Sequence, residues 1–455
     1  MNNLNFLVDV LKESPVFKTL EKNVKPGRTV CASGLSTINK SNIIYALCRL
    51  KGVTAFCLAS DEKEAQTLCN DLSCMGLRAY VYPVRDFNFL DFQSRSHEYE
   101  HARLKVLLKL LNHECDVAIA CVDAAAQLTV PRNVLEQSVI EFEEGRELSL
   151  EKATKALTLL GYERFDAVEG SGQFSLRGGI LDFFMPDSDY PVRCEFWGDE
   201  ITDLSYFDIE TQRRFKKADK ITLSPSTEIV IEDRAALADK IEHKAKLLRS
   251  KNSAKAKEKL FSEAELIRSG AMIANADKFI NQIYDNPESL FDYLDRNTLV
   301  FASEFTAIQE RGKSMDFISN ETLMQGFEDG TLCRGFDRFA LTFNECTEFL
   351  QSHGTIVLEN FVHGSMPIKL SEIISFSTKQ LSAWGGSYKQ LKEDVDGLFT
   401  PESKGVIFAG TERAAKNLCD TFNADGINAV YSEGADKISK GELLVMQGAL
   451  SAGFE

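Results

Sequence analysis

VCASGLSTINKS, residues 30–41, joins a short apolar run to a helical pattern through a single glycine. A buried strand that turns sharply into a helix is the opening of a β–α unit, so this stretch points to a parallel sheet covered by helices. Working outward, the apolar runs Val53–Ala59, Ala79–Val84 and Val117–Val122 read as further buried strands. Helical patterns lie between them at Ile38–Leu50, Asp61–Met75 and His101–Leu111. Ser60 is the expected N-cap of the second helix, because a hydroxyl there can accept from a free amide of the first turn.

After Pro131 the rhythm changes. A helix at Leu150–Leu159, with Ser149 as its cap and Gly161 as its stop, leads into runs with the alternation of antiparallel strands: Gln173–Phe184, Val192–Trp197 and Ile201–Phe207. This segment reads as a small α+β unit. From Phe207 to Gly364 the pattern is mainly helical, with isolated strands at Thr298–Ala302 and Thr355–Glu359 that could return to complete the first sheet. From Pro367 strand and helix alternate again: Ile373–Ser377, a helix near Tyr388–Leu398, Val406–Gly410, a helix at Thr411–Phe422, Ala429–Tyr431 and Leu443–Met446. The expected fold class is therefore multidomain α/β: a parallel-sheet first domain split by an inserted α+β domain and followed by a small α/β domain. The expected division is 1–130, 131–208, 209–366 and 367–455.

A chain of 455 residues is too long for one hydrophobic core. The net charge of −16 works against a chain that holds DNA by itself, because phosphate binding relies on clustered Lys and Arg that release counterions. A protein partner is favoured. Lys240–Lys259 carries seven lysines and one arginine in a helical pattern, which reads as a solvated helix face before it reads as a nucleic-acid site. Eleven cysteines are scattered singly, without the paired spacing of a zinc or redox site, so buried free thiols and no metal are expected. No run of about 18 apolar residues and no secretory leader is present, so the expectation is a cytoplasmic protein without a membrane partner. The ending GALSAGFE follows directly on a strand and predicts the front part of something longer.

The opening stretch also resembles a phosphate-binding loop. In G-x-x-x-x-G-K-[ST], backbone amides wrap the phosphates, the lysine reaches the terminal ones and the hydroxyl holds magnesium. Gly34, Lys40 and Ser41 have this spacing, but Asn39 stands at the second glycine, where a side chain crowds the cradle. Hydrolysis further needs a strand that ends in a metal-holding acid. The best candidate is Leu299–Glu304, LVFASE, in which Ser303 occupies the place of the magnesium-holding aspartate and Glu304 follows. Two defects in two motifs predict a loop that has lost ATP hydrolysis, with residual nucleotide binding near Lys40 left open. No catalytic residue is expected.

Side chains along a strand point alternately to opposite faces. Val192, Cys194 and Phe196 form an apolar face, which sends Arg193, Glu195 and Trp197 to the other side. Phe174, Leu176 and Ile180 are expected to share one parity, with Arg177 opposite. If Phe184 pairs with Val192, Arg177 falls near Asp199 and diagonal to Trp197. Arginine and aromatic residues dominate interface hot spots, so Arg177, Arg193 and Trp197 are candidate partner-binding residues. The alternative is that Trp197 packs under a helix while both arginines pair with Asp199 and Glu195.

The run GQFSLRGGILDFFMPDSDYPVRCEFWGDEI (172–201), continued by FDIETQRR (207–214), is similar to the amino-terminal part of the bacterial transcription-repair coupling factors, and more distantly to UvrB, a component of excinuclease ABC. GYERFDAVEGSG (161–172) and the terminal LSAGFE extend the resemblance. The resemblance implies a split helicase-like domain 1, an inserted domain 2 that binds UvrA, another component of excinuclease ABC, and a small domain 3. It also implies that two arginines and an aromatic on domain 2 contact UvrA, and these fall on Arg177, Arg193 and Trp197, with Trp where Phe is common. ATP, magnesium, RNA polymerase and double-stranded DNA would belong to a following motor that displaces stalled polymerase, with no cofactor in this part. UvrB resembles a true ATPase with a tyrosine-rich hairpin. Here the corresponding stretch, 86–101, is short and contains Tyr99 without a tyrosine cluster, so the nucleotide-dependent enzyme is the second reading.

Overall fold

The computed structural model describes residues 4–85, 97–249, 253–270, 276–361, 366–381, 383–434 and 438–455. The comparison stretch 86–101 therefore lies largely outside the described residues. In chain order the first strands are β1 (Val30–Ser33), β2 (Ala55–Ala59), β3 (Ala79–Tyr82) and β4 (Val117–Cys121). Each is short and apolar almost throughout, as expected of a parallel strand buried on both faces. The helices Thr37–Lys51, Glu62–Cys74 and Glu98–Leu111 fall between them. Asp61, not Ser60, caps the second helix: its carboxylate accepts from the Glu64 amide at 2.8 Å, while the Ser60 hydroxyl donates to the Glu64 carboxylate at 2.6 Å. Ser60 is thus one residue too early to reach the first turn.

The chain then builds a second unit from β5 (Ile140–Glu143), β6 (Glu163–Arg164), β7 (Gln173–Arg177), β8 (Ile180–Phe183), β9 (Val192–Trp197), β10 (Glu200–Phe207), β11 (Arg214–Lys217) and β12 (Lys220–Leu223). Six of them form one sheet in the order β11-β10-β9-β8-β7-β6, and β12 pairs with β5. The strands continue past Asp208. Phe142, Leu157, Phe183, Val192, Cys194 and Leu204 fill the core under this sheet.

The run expected as one strand, Gln173–Phe184, is a hairpin. Gly178, at φ +62°, turns with Gly179 so that Arg177 pairs directly with Ile180. A two-residue turn puts its flanking residues on the same face, so Ile180 shares the side of Arg177 and not that of Phe174 and Leu176. The partner of Val192 is Phe183 rather than Phe184, a shift of one residue. Cross-strand rows on the outer face therefore run Arg177, Ile180, Glu195, Asp203 and Ser175, Asp182, Arg193, Ser205.

Returning helices follow, including Arg234–Leu247 and Ser253–Ser269, which divide the basic stretch between them and pack on a shared apolar seam around Ile241, Leu260 and Ala264. Two strands, β13 (Leu299–Ser303) and β14 (Thr355–Glu359), flank the long helix Phe305–Asp329. Both enter the first sheet, which β15 (Glu372–Ser375) joins at one edge; its order is β15-β1-β14-β13-β2-β4-β3, parallel throughout. The edge strand β15 was expected to open the last unit. It pairs instead with β1, because Cβ-less Gly34 lets the chain after β15 lie against the β1 turn: a Cβ there would sit 2.2 Å from the Phe376 carbonyl oxygen.

The last unit is a three-stranded parallel sheet of β17 (Lys404–Ala409), β18 (Ala429–Tyr431) and β19 (Glu442–Gln447), with β16 (Gln380–Leu381) paired to β20 (Gly453–Phe454). Its faces go different ways. Ile407, Leu443 and Val445 pack with its own helix Glu412–Ala424, whereas Leu444 and Met446 join the core of the first sheet. Every cysteine is unpaired, and only Cys74 and Cys333 are partly exposed. Among the described residues no helix is long and apolar enough to cross a membrane.

Candidate functional site

Two places carry the chemistry anticipated in the sequence. The first is the carboxyl edge of the large sheet, where ligands of open α/β sheets bind. Gly34 has φ +80° and the helix Thr37–Lys51 starts beyond it, as a phosphate loop requires. The cradle is nevertheless closed. The Gly34 and Leu35 amides, which would wrap a phosphate, donate to the carbonyls of Asn360 (3.2 Å) and Glu359 (3.1 Å). Asn39 donates from its amide to the Ser36 hydroxyl at 2.8 Å.

Lys40 is turned inward and buried. Its ammonium donates to Glu304 at 2.5 Å, to Ser303 at 2.9 Å and to Glu64 at 3.3 Å, and the Ser303 hydroxyl donates to Glu64 at 2.6 Å. Lys40, Ser303 and Glu304 thus meet across the sheet, joined by Glu64, which the sequence reading missed. Glu304 takes a left-handed backbone, φ +57°, to cap the long helix and also accepts from the Asn360 amide at 2.9 Å. Burial opposes its ionisation, but the Lys40 ammonium holds its carboxyl below the usual range. Glu359 accepts from the Phe305 amide at 2.8 Å; burial, and then the charge of Glu304, push it up to about 7. The ammonium is thus engaged by two carboxylate side chains, Glu304 and Glu64, instead of standing free for a phosphate. Ser41, the expected magnesium ligand, points elsewhere: its hydroxyl donates to Asp71 at 3.3 Å, and Asp71 also accepts from the amide and hydroxyl of Ser451, both at 2.7 Å. Burial raises the Asp71 carboxyl despite these donors. The LSAGFE segment is thereby tied to the first unit.

Nearby, ligand atoms of Glu62, Cys121 and Asp123 lie within 4.8 Å of one another. The Arg311 guanidinium occupies that charge, donating to Asp123 at 2.7 and 2.9 Å and to Glu62.

The Glu359 proton has a consequence for stability. A carboxyl whose folded pKa lies above its unfolded value of about 4.3 keeps its proton in the native state while the unfolded chain releases it, so stability falls as pH rises from about 4.3 towards 7. Glu359→Gln is expected to flatten that fall, with a melting temperature above wild type at pH 8 and close to it at pH 5, as measured by thermal melts across pH.

The second place is the outer face of the six-stranded sheet. Trp197 ends β9 and is 82% exposed. Arg177, at the end of β7, is half-exposed, whereas the Arg193 side chain is only 13% exposed. Both arginines donate to one buried carboxylate, Asp182: Arg177 Nη2 at 2.8 Å, Arg193 Nε at 2.7 Å and Arg193 Nη2 at 2.8 Å. Neither pairs with Asp199 or Glu195; Glu195 is taken by Arg214. Arg193 also lies over the Phe207 ring, 4.3 Å from its centroid. The three predicted residues share a face, but not in equal roles. Trp197 is two strands over and one pleat along from Arg177, on the order of 12 Å between Cα atoms, with Ile180 between them. The Asp182 link escaped sequence reading because it depends on which residue faces Arg193, and the Gly178–Gly179 turn sets that register.

What fold and sites define is a multidomain α/β chain with a parallel sheet, a loop after β1 whose lysine is buried among acids, and an α+β unit whose outer face carries an exposed indole and two arginines. Residues 140–229 match the family described as the UvrB interaction domain. The chain is similar, nearly end to end, to the transcription-repair coupling factors: it is 26% identical to that of Bacillus subtilis (strain 168) over 98% of this chain and 38% of the relative. It is 25% identical to that of Staphylococcus epidermidis (strain ATCC 12228) over 83% of this chain and 32% of the relative. For Staphylococcus aureus (strain MRSA252) the identity is 22% over 99% of this chain and 39% of the relative. The chain spans less than two fifths of the length of these relatives.

Proposed function

We propose that this chain is the recruiting part of a transcription-repair coupling factor, docking the UvrA component of excinuclease ABC through the outer face of its inserted α+β unit. The observation that carries the reading is Trp197: a large indole left in water on the same sheet face as Arg177, within the segment that matches the UvrB interaction domain. Exposing such a side chain forgoes a large burial gain unless a partner covers it. Arg177 supplies the exposed cation, and Arg193 braces it from below. The inserted unit runs from 131 to about Leu223, since β11 and β12 complete its sheets. Around it, 1–130 and about 224–376 form a split, helicase-like scaffold, and the remainder supplies the small domain 3. The whole protein would use ATP and magnesium in a motor outside this chain to displace stalled RNA polymerase along double-stranded DNA in the cytoplasm.

The alternative, a UvrB-type ATPase, is opposed by the spent amides of Gly34 and Leu35 and by the two acids on Lys40. Lys40→Met is expected to destabilise the fold by about 2–4 kcal/mol, because it leaves Glu64 and Glu304 without their cation. Millimolar ATP with magnesium should leave the wild-type melting temperature unmoved. A nucleotide-dependent rise in wild type that vanishes in Lys40→Met would restore the enzyme reading.

The docking reading is tested by calorimetric titration of the chain with purified UvrA. Saturable binding of one chain per site is expected. Absence of heat and of co-elution at tens of micromolar would remove it.

A further inference from the structure

FDIETQRR, residues 207–214, carries none of the three predicted contact residues, yet it closes on itself as a tight loop under the patch. The Gln212 amide donates to the Asp208 carbonyl at 2.8 Å, the Asp208 amide donates to the Arg213 carbonyl at 3.0 Å, and the Asp208 carboxylate accepts from the Thr211 amide and hydroxyl at 2.8 and 2.7 Å. Its tip, Gln212, sits at φ +57°, a conformation that side chains other than Gly and Asn rarely adopt. This strained residue offers two oxygens to Arg193: the backbone carbonyl to Nη1 at 3.2 Å and the side-chain Oε1 to Nη2 at 3.1 Å. Its own Nε2 donates back to the Ile209 carbonyl at 2.9 Å, which fixes the amide orientation.

Together with the Asp182 carboxylate and the Phe207 ring, these oxygens occupy all three nitrogens of Arg193 and one face of its guanidinium. An arginine so held has few donors left for a partner. The same carboxylate takes a single Nη of Arg177, which remains half-exposed and whose side chain makes no other hydrogen bond among the described residues. A free arginine samples many rotamers and loses that freedom on docking, whereas one held in place does not.

We propose that Asp182 and Gln212 are positioning residues of the docking patch: they immobilise Arg193, and the shared carboxylate thereby presents Arg177, with Ile180 next to it and Trp197 further along the same face, to a partner surface bearing a carboxylate next to an apolar pocket. This rests on the docking reading above. Planar guanidinium donors with unspent hydrogens match a carboxylate, and Ile180 and the indole match apolar surface.

Gln212→Gly tests the idea without adding strain, since glycine accepts the positive φ while the Oε1 acceptor is lost. Its affinity for purified UvrA is compared with wild type, alone and in an Arg193→Ala background, with melting curves and ¹⁵N spectra of the arginine Nε–H groups of the free chain. The expected result is about fivefold weaker binding in the wild-type background and less than about twofold in the Arg193→Ala background. The melting temperature should be near wild type, with the Arg193 Nε–H signal broadened or shifted. Asp182→Asn should weaken binding further and disturb the Arg177 signal as well; if it fails to fold, the Gln212→Gly comparison decides alone. Unchanged affinity of Gln212→Gly, or an equal loss in both backgrounds, overturns the assignment while the docking reading stands. A wild-type chain that does not bind UvrA removes both.

Discussion

Arg103→Ala is expected to lower the stability of the chain by about 3–5 kcal/mol, the cost of stripping buried Glu228 of the nearer of its two arginines, Arg103 rather than Arg85. Arg103 and Glu228 are both fully buried, and the guanidinium donates to the carboxylate through Nε at 2.6 Å and Nη2 at 3.3 Å. Its Nη1 serves the Pro83 carbonyl at 3.1 Å and Gln127 at 2.8 Å, and the group lies 4.1 Å from the Tyr82 ring centroid. Glu228 further accepts from Thr129 at 2.7 Å. Glu228 belongs to the segment that returns from the inserted unit, so the pair clamps that return to the helix Glu98–Leu111. Its backbone amide adds a second tie, donating to Glu100 at 2.8 Å. Glu228→Gln with Arg103→Met should be less damaging than Arg103→Ala, because it removes both charges together. Urea unfolding of the three chains checks this. A loss below about 1 kcal/mol for Arg103→Ala would mean the clamp does not hold the units together.

Trp197→Ala is expected to weaken binding of UvrA by about 2–4 kcal/mol, roughly 30-fold or more, while the melting temperature stays put. The separation follows from exposure: an indole 82% in water contributes little to the fold that alanine would remove. Trp197→Phe should retain most of the affinity, since an aromatic face still fills an apolar pocket. Arg177→Ala should cost about 1–3 kcal/mol of binding and likewise spare the fold. Arg193→Ala differs, because it strips the buried Asp182 of two of its three arginine hydrogen bonds and uncovers Phe207. Its loss of affinity should come with a measurable loss of stability.

The parallel sheet was legible because strands such as VCAS and AFCLA are small or apolar at every position, a pattern that only burial on both faces explains. The placement of Arg193 and Trp197 opposite Val192, Cys194 and Phe196 followed from strand alternation alone. Ile180 was misplaced because a two-residue turn resets the alternation, and sequence counting ran through it as though Gln173–Phe184 were one strand. The strand near Ile373 was assigned to its neighbours in the chain, whereas its partner β1 lies more than 300 residues earlier, as the 342-residue separation of the Ser33–Ser375 hydrogen bond shows. The surroundings of Lys40 were half-legible: Ser303 and Glu304 were named with it, but Lys40 meets them across 263 and 264 residues, and no local pattern could name Glu64 or Glu359 as their companions.

The central claim is most directly tested by titrating purified UvrA with the wild-type chain and with the Arg177→Ala/Trp197→Ala double variant, each checked by its melting curve. Saturable wild-type binding that falls by about a hundredfold or more in a variant of unchanged melting temperature is the predicted result. Equal affinity of the two chains would contradict the account.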